Sequence, residues 1–212
     1  MAPPFWFGTP SPSGKSVVYE IPGGVDDARF ADLIMIHGVT TPATDGSIAI
    51  VCPDGSNLTS AAFDVFTGGV VAPAVPQIEQ IKITGFRGLT PATLSRLVGR
   101  LNRLTELELP DGIELDGSYL MPLSRFPELA VLTVDSLAPP DHPSWRNGYQ
   151  DLAVLASLQR LALPQQKIRH EQQIHDLINA CGLEELLVQS QYTKADEQAI
   201  QADHEGCEIS WL

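Results

Sequence analysis

The stretch "LTELEL", residues 104–109, places apolar residues at its first, fourth and sixth positions. The alternation over its last three positions predicts a short strand with one buried face. The same pattern recurs in "IEQIKI" (78–83), "LAVLTV" (129–134), "LQRLAL" (158–163) and "LEELLV" (183–188), with a weaker copy in "GCEISW" (206–211). The fourth positions are Ile81, Leu107, Leu132, Leu161, Leu186 and Ile209, separated by steps of 26, 25, 29, 25 and 23 residues. A spacing this steady marks one supersecondary unit used repeatedly, each copy burying its apolar flank against the next.

Between these strands the apolar period becomes helical. Leu94, Leu97, Val98 and Leu101 fall at i, i+3, i+4 and i+7, as do Ile174, Leu177, Ile178 and Cys181. "YLMPLSRF" and "YQDLAVLASL" are shorter versions. In "LTPATL", Thr90 is placed to cap a helix whose first turn holds Pro91.

This arrangement resembles the leucine-rich repeat family over Ile78 to Leu212. The resemblance implies an α/β solenoid, with parallel strands on the concave side and helices on the convex side. Where the family continues with Asn or Cys, this chain has Phe86, Gly112, Leu137, Gln166 and Gln191, so the family's buried amide ladder does not carry over.

Residues 1–75 are expected to form an irregular N-terminal cap with degenerate repeats, and residues 76–212 the array. A cap is required physically, because a terminal repeat otherwise exposes its apolar flank. "SVVYEI", "ADLIMI" and "SIAIVC" read as strands, and "SNLTSAAFDVF" as a short helix. "TGGVVAPAVP", residues 67–76, is the expected seam.

Several motifs fail on spacing. "GTPSPSGKS" has five residues between Gly8 and Gly14 where a phosphate loop needs four, and Pro10 and Pro12 have no N–H to offer. "HEQQIH" separates His170 and His175 by five residues, not the four that align two zinc ligands on one helix face. "HEGC" (204–207) is a lone pair without companions. No metal or cofactor is expected.

The net charge of −13 over 212 residues argues against nucleic acid and for a basic protein partner. The three cysteines lack metal-site spacing, and "MAPPFWFGTPSPSGK" has no basic start and no long apolar run. No segment has the roughly 20 apolar residues of a membrane helix. An intracellular, cytoplasmic protein is the expectation.

The strand residues flanking the buried positions define the expected binding face: Glu79, Lys82, Glu106, Glu108, Asp111, Asp135, Arg160, Glu184 and Glu185, with Glu208 at the end. The acids among these outnumber the bases Lys82 and Arg160 by eight to two. The 29-residue step holds an insertion, "LAPPDHPSWRNGYQ" (137–150), whose Trp145, Arg146 and Tyr149 are of the types enriched at interface hot spots; Trp145 is expected either to contact a partner or to fold back onto the neighbouring helix as a lid. The expected function is non-catalytic: a scaffold, adaptor or complex subunit that binds a protein through the acidic face and this loop. The alternative is an enzyme with its site in the cap, around Cys52 and His37, with Asp45 and Asp54 nearby.

Overall fold

The computed structural model describes residues 9–10, 16–20, 25–37, 46–51, 59, 61–62, 65, 78–84, 89–97, 103–109 and 112–212. The first four strands and the second half of the first helix are described as backbone. The chain is α/β, with a mostly parallel sheet.

The strands are β1 (Thr9–Pro10), β2 (Ser16–Glu20), β3 (Gly46–Val51), β4 (Ile78–Thr84), β5 (Glu106–Glu108), β6 (Glu114–Leu115), β7 (Val131–Thr133), β8 (Ser136–Leu137), β9 (Arg160–Lys167), β10 (Glu185–Gln189) and β11 (Glu208–Trp211). Nine of them form one sheet in the order β1-β2-β3-β4-β5-β7-β9-β10-β11, and β6 and β8 form a small second sheet. Only β1 runs antiparallel to its neighbour. Within this sheet every later strand is added at the same edge in chain order, and β3 pairs with β4 in parallel across residue 75, with a register shift between Gly46 and Ser47. The seam expected at 67–76 lies outside the described residues.

The helices whose bounds lie among the described residues are α1 (Asp27–His37), α2 (Pro91–Leu97), α3 (Gly117–Leu123), a 3₁₀ helix (Gln150–Val154), α4 (Glu171–Cys181) and α5 (Lys194–Asp203), and Ala61, Ala62 and Val65 are also helical. Each part of this row has a local cause. Thr90 Oγ1 accepts the N–H of Thr93 at 3.3 Å ahead of Pro91, as expected of a cap. Asp116 caps α3 through the N–H of Ser118. Gly182 ends α4 in the left-handed conformation, with φ of 65°. Thr193 and Asp196 make a reciprocal capping box at the start of α5.

Pairing aligns the repeats on their central apolar residue. Val17, Ile48, Ile81, Leu107, Leu132, Leu161, Leu186 and Ile209 are successive partners across eight strands. From Leu107 onward all of these are buried, and they join Leu94, Leu120, Leu123, Leu152, Ile174, Leu177 and Ile200 of the helices in one core. The helices thus cover one face of the sheet. Neighbours in this layer touch in chain order: α2 meets α3, α3 meets the 3₁₀ helix, and that helix meets α4.

"ADLIMI", expected as a strand, lies in α1. A continuous apolar run does not separate the two periods. The capping decides it: Asp26 Oδ1 accepts the N–H of Arg29 at 2.8 Å, Asp26 C=O accepts that of Phe30 at 2.9 Å, and Phe30 is fully buried. "SVVYEI" and "SIAIVC" do contain strands β2 and β3.

Candidate protein-binding face

The face of the sheet turned away from the helices carries two transverse rows. One runs Gln80, Glu106, Val131, Arg160, Glu185, Glu208, and the other Lys82, Glu108, Thr133, Ala162, Leu187, Ser210. Residues in a row sit on adjacent strands about 4.8 Å apart. Alternation sets the face: Leu107 and Leu109 are buried while Glu106 and Glu108 are half-exposed. Most residues of these rows are half-exposed or exposed, while Ala162 is buried at 5% exposure.

Charge on this face is predominantly negative. Arg160 meets Glu185 on the next strand, Nε to Oε2 at 3.2 Å, although the Nε–H is not aimed along a hydrogen bond. Both side chains are partly exposed, at 43% and 32%, so water weakens their attraction. Glu208, next along the row, is exposed, as is Glu184 just before β10. Asp135 is half-buried, and its carboxylate accepts the N–H of Gly112. Of the expected face residues, Glu79 and Lys82 lie on β4, described as backbone, and Asp111 lies outside the described residues. The structure therefore brings Glu106, Glu108, Arg160, Glu185 and Glu208 together on one surface.

The inserted loop follows the lid reading and not the contact-site reading. Trp145 is 7% exposed and Tyr149 is 3% exposed, so neither is a surface contact residue. The two rings stand edge to face with centroids 6.0 Å apart, and Trp145 Nε1 donates to the carbonyl of Ala138 at 3.3 Å. Burial, then Glu114 and Asp141, pushes the Tyr149 hydroxyl up to about 12. Its oxygen has no hydrogen-bond partner among the described residues. The loop folds back because its polar groups are satisfied locally. The Asp151 carboxylate accepts the N–H groups of Arg146 and Asn147, which outweigh the upward push of burial and hold it below its ordinary range. Gly117 lets the loop approach α3, because an added Cβ would lie 2.1 Å from the Ser144 carbonyl oxygen. Of the expected trio only Arg146 is exposed.

Two features were not anticipated from the sequence. His175 Nδ1 and His204 Nε2 meet at 3.0 Å, with His204 buried at the end of α5. Gln166 Oε1 accepts the N–H of Leu137 at 2.8 Å, so an amide side chain does bind the preceding repeat's backbone at one of the positions where the family has Asn. Both contacts join residues 29 apart in the chain, and only the repeat alignment could have suggested them.

Burial alone raises the Cys181 thiol to about 12. Burial, followed by Glu185, raises Cys207 to about 11, against a lowering contribution from the Leu186 backbone N–H. Both are poor nucleophiles. Cys52 and Asp54 lie outside the described residues, as does Asp45, and His37 is described as backbone. Among the described residues no three His, Cys, Asp or Glu side chains are grouped to hold a metal ion. No helix among them is long and apolar enough to cross a membrane. No protein-family model matches the chain, and no curated protein is significantly similar to it.

Proposed function

We propose that the protein is a non-catalytic binding scaffold, a leucine-rich-repeat-like solenoid whose acidic face receives a basic protein partner. The observation that carries this reading is the alignment of equivalent residues across the strands. It buries Leu107, Leu132, Leu161, Leu186 and Ile209 on the helix side and sets Glu106, Glu108, Glu185 and Glu208 on the other. A rigid sheet that carries like charges in rows concentrates field over a surface and steers an oppositely charged partner. Arg160 is tied to Glu185 and leaves the remaining acids in excess. Fold does not fix function, and the reading rests on the face itself.

The test is a variant with Glu106, Glu108, Glu184 and Glu185 changed to Gln. Proteins retained from native lysate at low salt by the parent chain are identified by mass, and association of the retained partner is then timed over a salt series. The variant should associate on the order of tenfold more slowly at low salt and show a flatter salt dependence. An unchanged rate and salt response would remove the face from the account.

A further inference from the structure

Strand β11 is the last strand in the sheet order, and its outer edge meets no further strand among the described residues. Glu208 N–H bonds to Glu184 C=O at 2.8 Å and Leu212 N–H to Val188 C=O at 3.0 Å, so the even-numbered residues here address β10. Backbone alternation turns the polar groups of Cys207, Ile209 and Trp211 outward. A single side chain answers the first of these. Gln201 of α5 accepts the Ile209 N–H on Oε1 at 2.8 Å and donates Nε2 to the Cys207 C=O at 2.8 Å. In a parallel ladder, the residue paired with Glu208 would donate its N–H to Cys207 and accept from Ile209. The Gln201 carboxamide does the work of that one residue on the edge, and its Nε2 also donates to the His204 C=O at 3.3 Å. The Ile209 C=O and the Trp211 N–H, further along the edge, have no partner among the described residues. Beside them a cleft of about 330 Å³ opens between α5 and the edge, lined by Lys194, Glu197, Gln198, Gln201, Ile209 and Trp211.

We propose that this edge is a second docking surface, which takes an extended basic segment of a partner protein as an additional parallel strand, with Gln201 as the plug it displaces. Charge decides the occupant. A residue in register with Glu208 points to the open face beside that exposed, unpaired carboxylate, where a Lys or Arg fits. The next residue points to the helix side, beside Ile209 and into the α5 cleft, where an apolar side chain fits. The segment therefore alternates basic and apolar residues. A second copy of this chain brings a net charge of −13 against another −13 and is disfavoured. Strand addition gives affinity through the backbone and specificity through alternate side chains. The edge adjoins the end of the open face and shares Glu208 with it; what sets it apart is that the backbone of β11, and not the rows of carboxylates, makes the contact.

The probe is a fluorescently labelled peptide, Lys-Val-Lys-Val-Lys-Val-Lys, titrated against the full chain by anisotropy. Gln201→Ala, which removes the plug, should bind it about fivefold to tenfold more tightly than the parent, the scale of one or two net hydrogen bonds. The same peptide N-methylated on its lysine backbone nitrogens keeps its charge and loses the edge-bonding N–H groups; it should bind at least about tenfold more weakly. If Gln201→Ala does not fold, Trp211→Pro reads the same edge. It deletes an outward N–H without touching the β10 ladder, and should lose the peptide. A double variant, Glu106→Gln with Glu108→Gln, should keep peptide binding even where it impairs the open face. Equal binding of the parent and N-methylated peptides would overturn the proposal, since attraction would then be charge alone. So would dimerisation of Gln201→Ala in sedimentation without peptide binding, because the occupant would be a second copy.

Discussion

His175 on α4 and His204 at the end of α5 share a hydrogen bond 3.0 Å long, with ring centroids 4.5 Å apart and planes at 74°. One ring must donate and the other accept, so the contact needs at least one neutral imidazole. Burial, reinforced by His175, lowers the His204 pKa below its ordinary 6.5; Asp203 and Glu171 oppose this in part. A depressed folded-state value means the unfolded chain takes up the proton first. The contribution is therefore present above the unfolded value of 6.5 and is lost as pH falls through the folded one. Urea unfolding should show a loss of stability from about pH 7.5 to about pH 5.5 that is shallower in His204→Gln. Equal slopes in parent and variant would mean the pair does not couple to folding.

Leu107 and Leu161 occupy the same register position two strands apart, at 1% and 0% exposure. Either Leu→Ala change should cost about 2–5 kcal/mol, because transfer and cavity terms add. Denaturant melts are the measurement, and a shift below about 1 kcal/mol would place these residues outside a core.

The repeating centre was legible because burial of one strand face leaves a period that survives in a single sequence. Ile81, Leu107, Leu132, Leu161, Leu186 and Ile209 can be aligned by eye and pair in that order. The same logic failed for residues 31–36, where an unbroken apolar run has no period and the cap at Asp26 settles the helix. It failed again for Trp145, whose residue type suits an interface and a core equally. Next to it, Ser144 Oγ accepts the N–H of Gly117 at 3.0 Å, 27 residues back, a long-range contact that no local pattern shows. The charge of the open face was readable once the strands were phased. The plug at Gln201 was not, because its meaning arises only where a helix meets the last edge.

The inserted loop should therefore act on stability. Trp145→Ala should cost about 3–5 kcal/mol, as for a buried aromatic residue, and leave partner binding by the folded fraction unchanged. Tyr149→Phe offers the opposite sign. Its buried hydroxyl has no hydrogen-bond partner among the described residues, so deleting it should be neutral or gain up to about 1 kcal/mol. Calorimetric melts of the two variants decide the point; a stable Trp145→Ala with weakened binding would return the loop to the interface.

The thiols of half-buried Cys181 and buried Cys207 should be slow to react. Cys181 and Cys207 are raised to about 12 and about 11, so little thiolate exists at neutral pH. Native protein treated with a disulfide reagent and mapped by peptide mass should show both unmodified while urea-unfolded protein reacts at once. Fast labelling of Cys181 in the native state would contradict the packing of α4.

Gln166 links two consecutive repeats through a contact that the family resemblance alone did not supply. Its Oε1 takes the N–H of Leu137, a residue 2% exposed, at 2.8 Å. Asp135 does the corresponding job one step earlier, for Gly112. Replacing Gln166 by Leu shortens the side chain by one atom and removes the acceptor, which leaves the Leu137 N–H buried and unpaired. That loss should cost about 1–3 kcal/mol. Gln166→Glu keeps an oxygen at the same reach and should cost less. Amide hydrogen exchange separates the two effects, since it reads Leu137 directly. In Gln166→Leu its protection should fall by at least about tenfold more than that of Leu161, a buried neighbour held by the ladder alone. If both amides lose protection equally, the substitution has weakened the whole sheet, and the bond from Gln166 is not what joins these repeats.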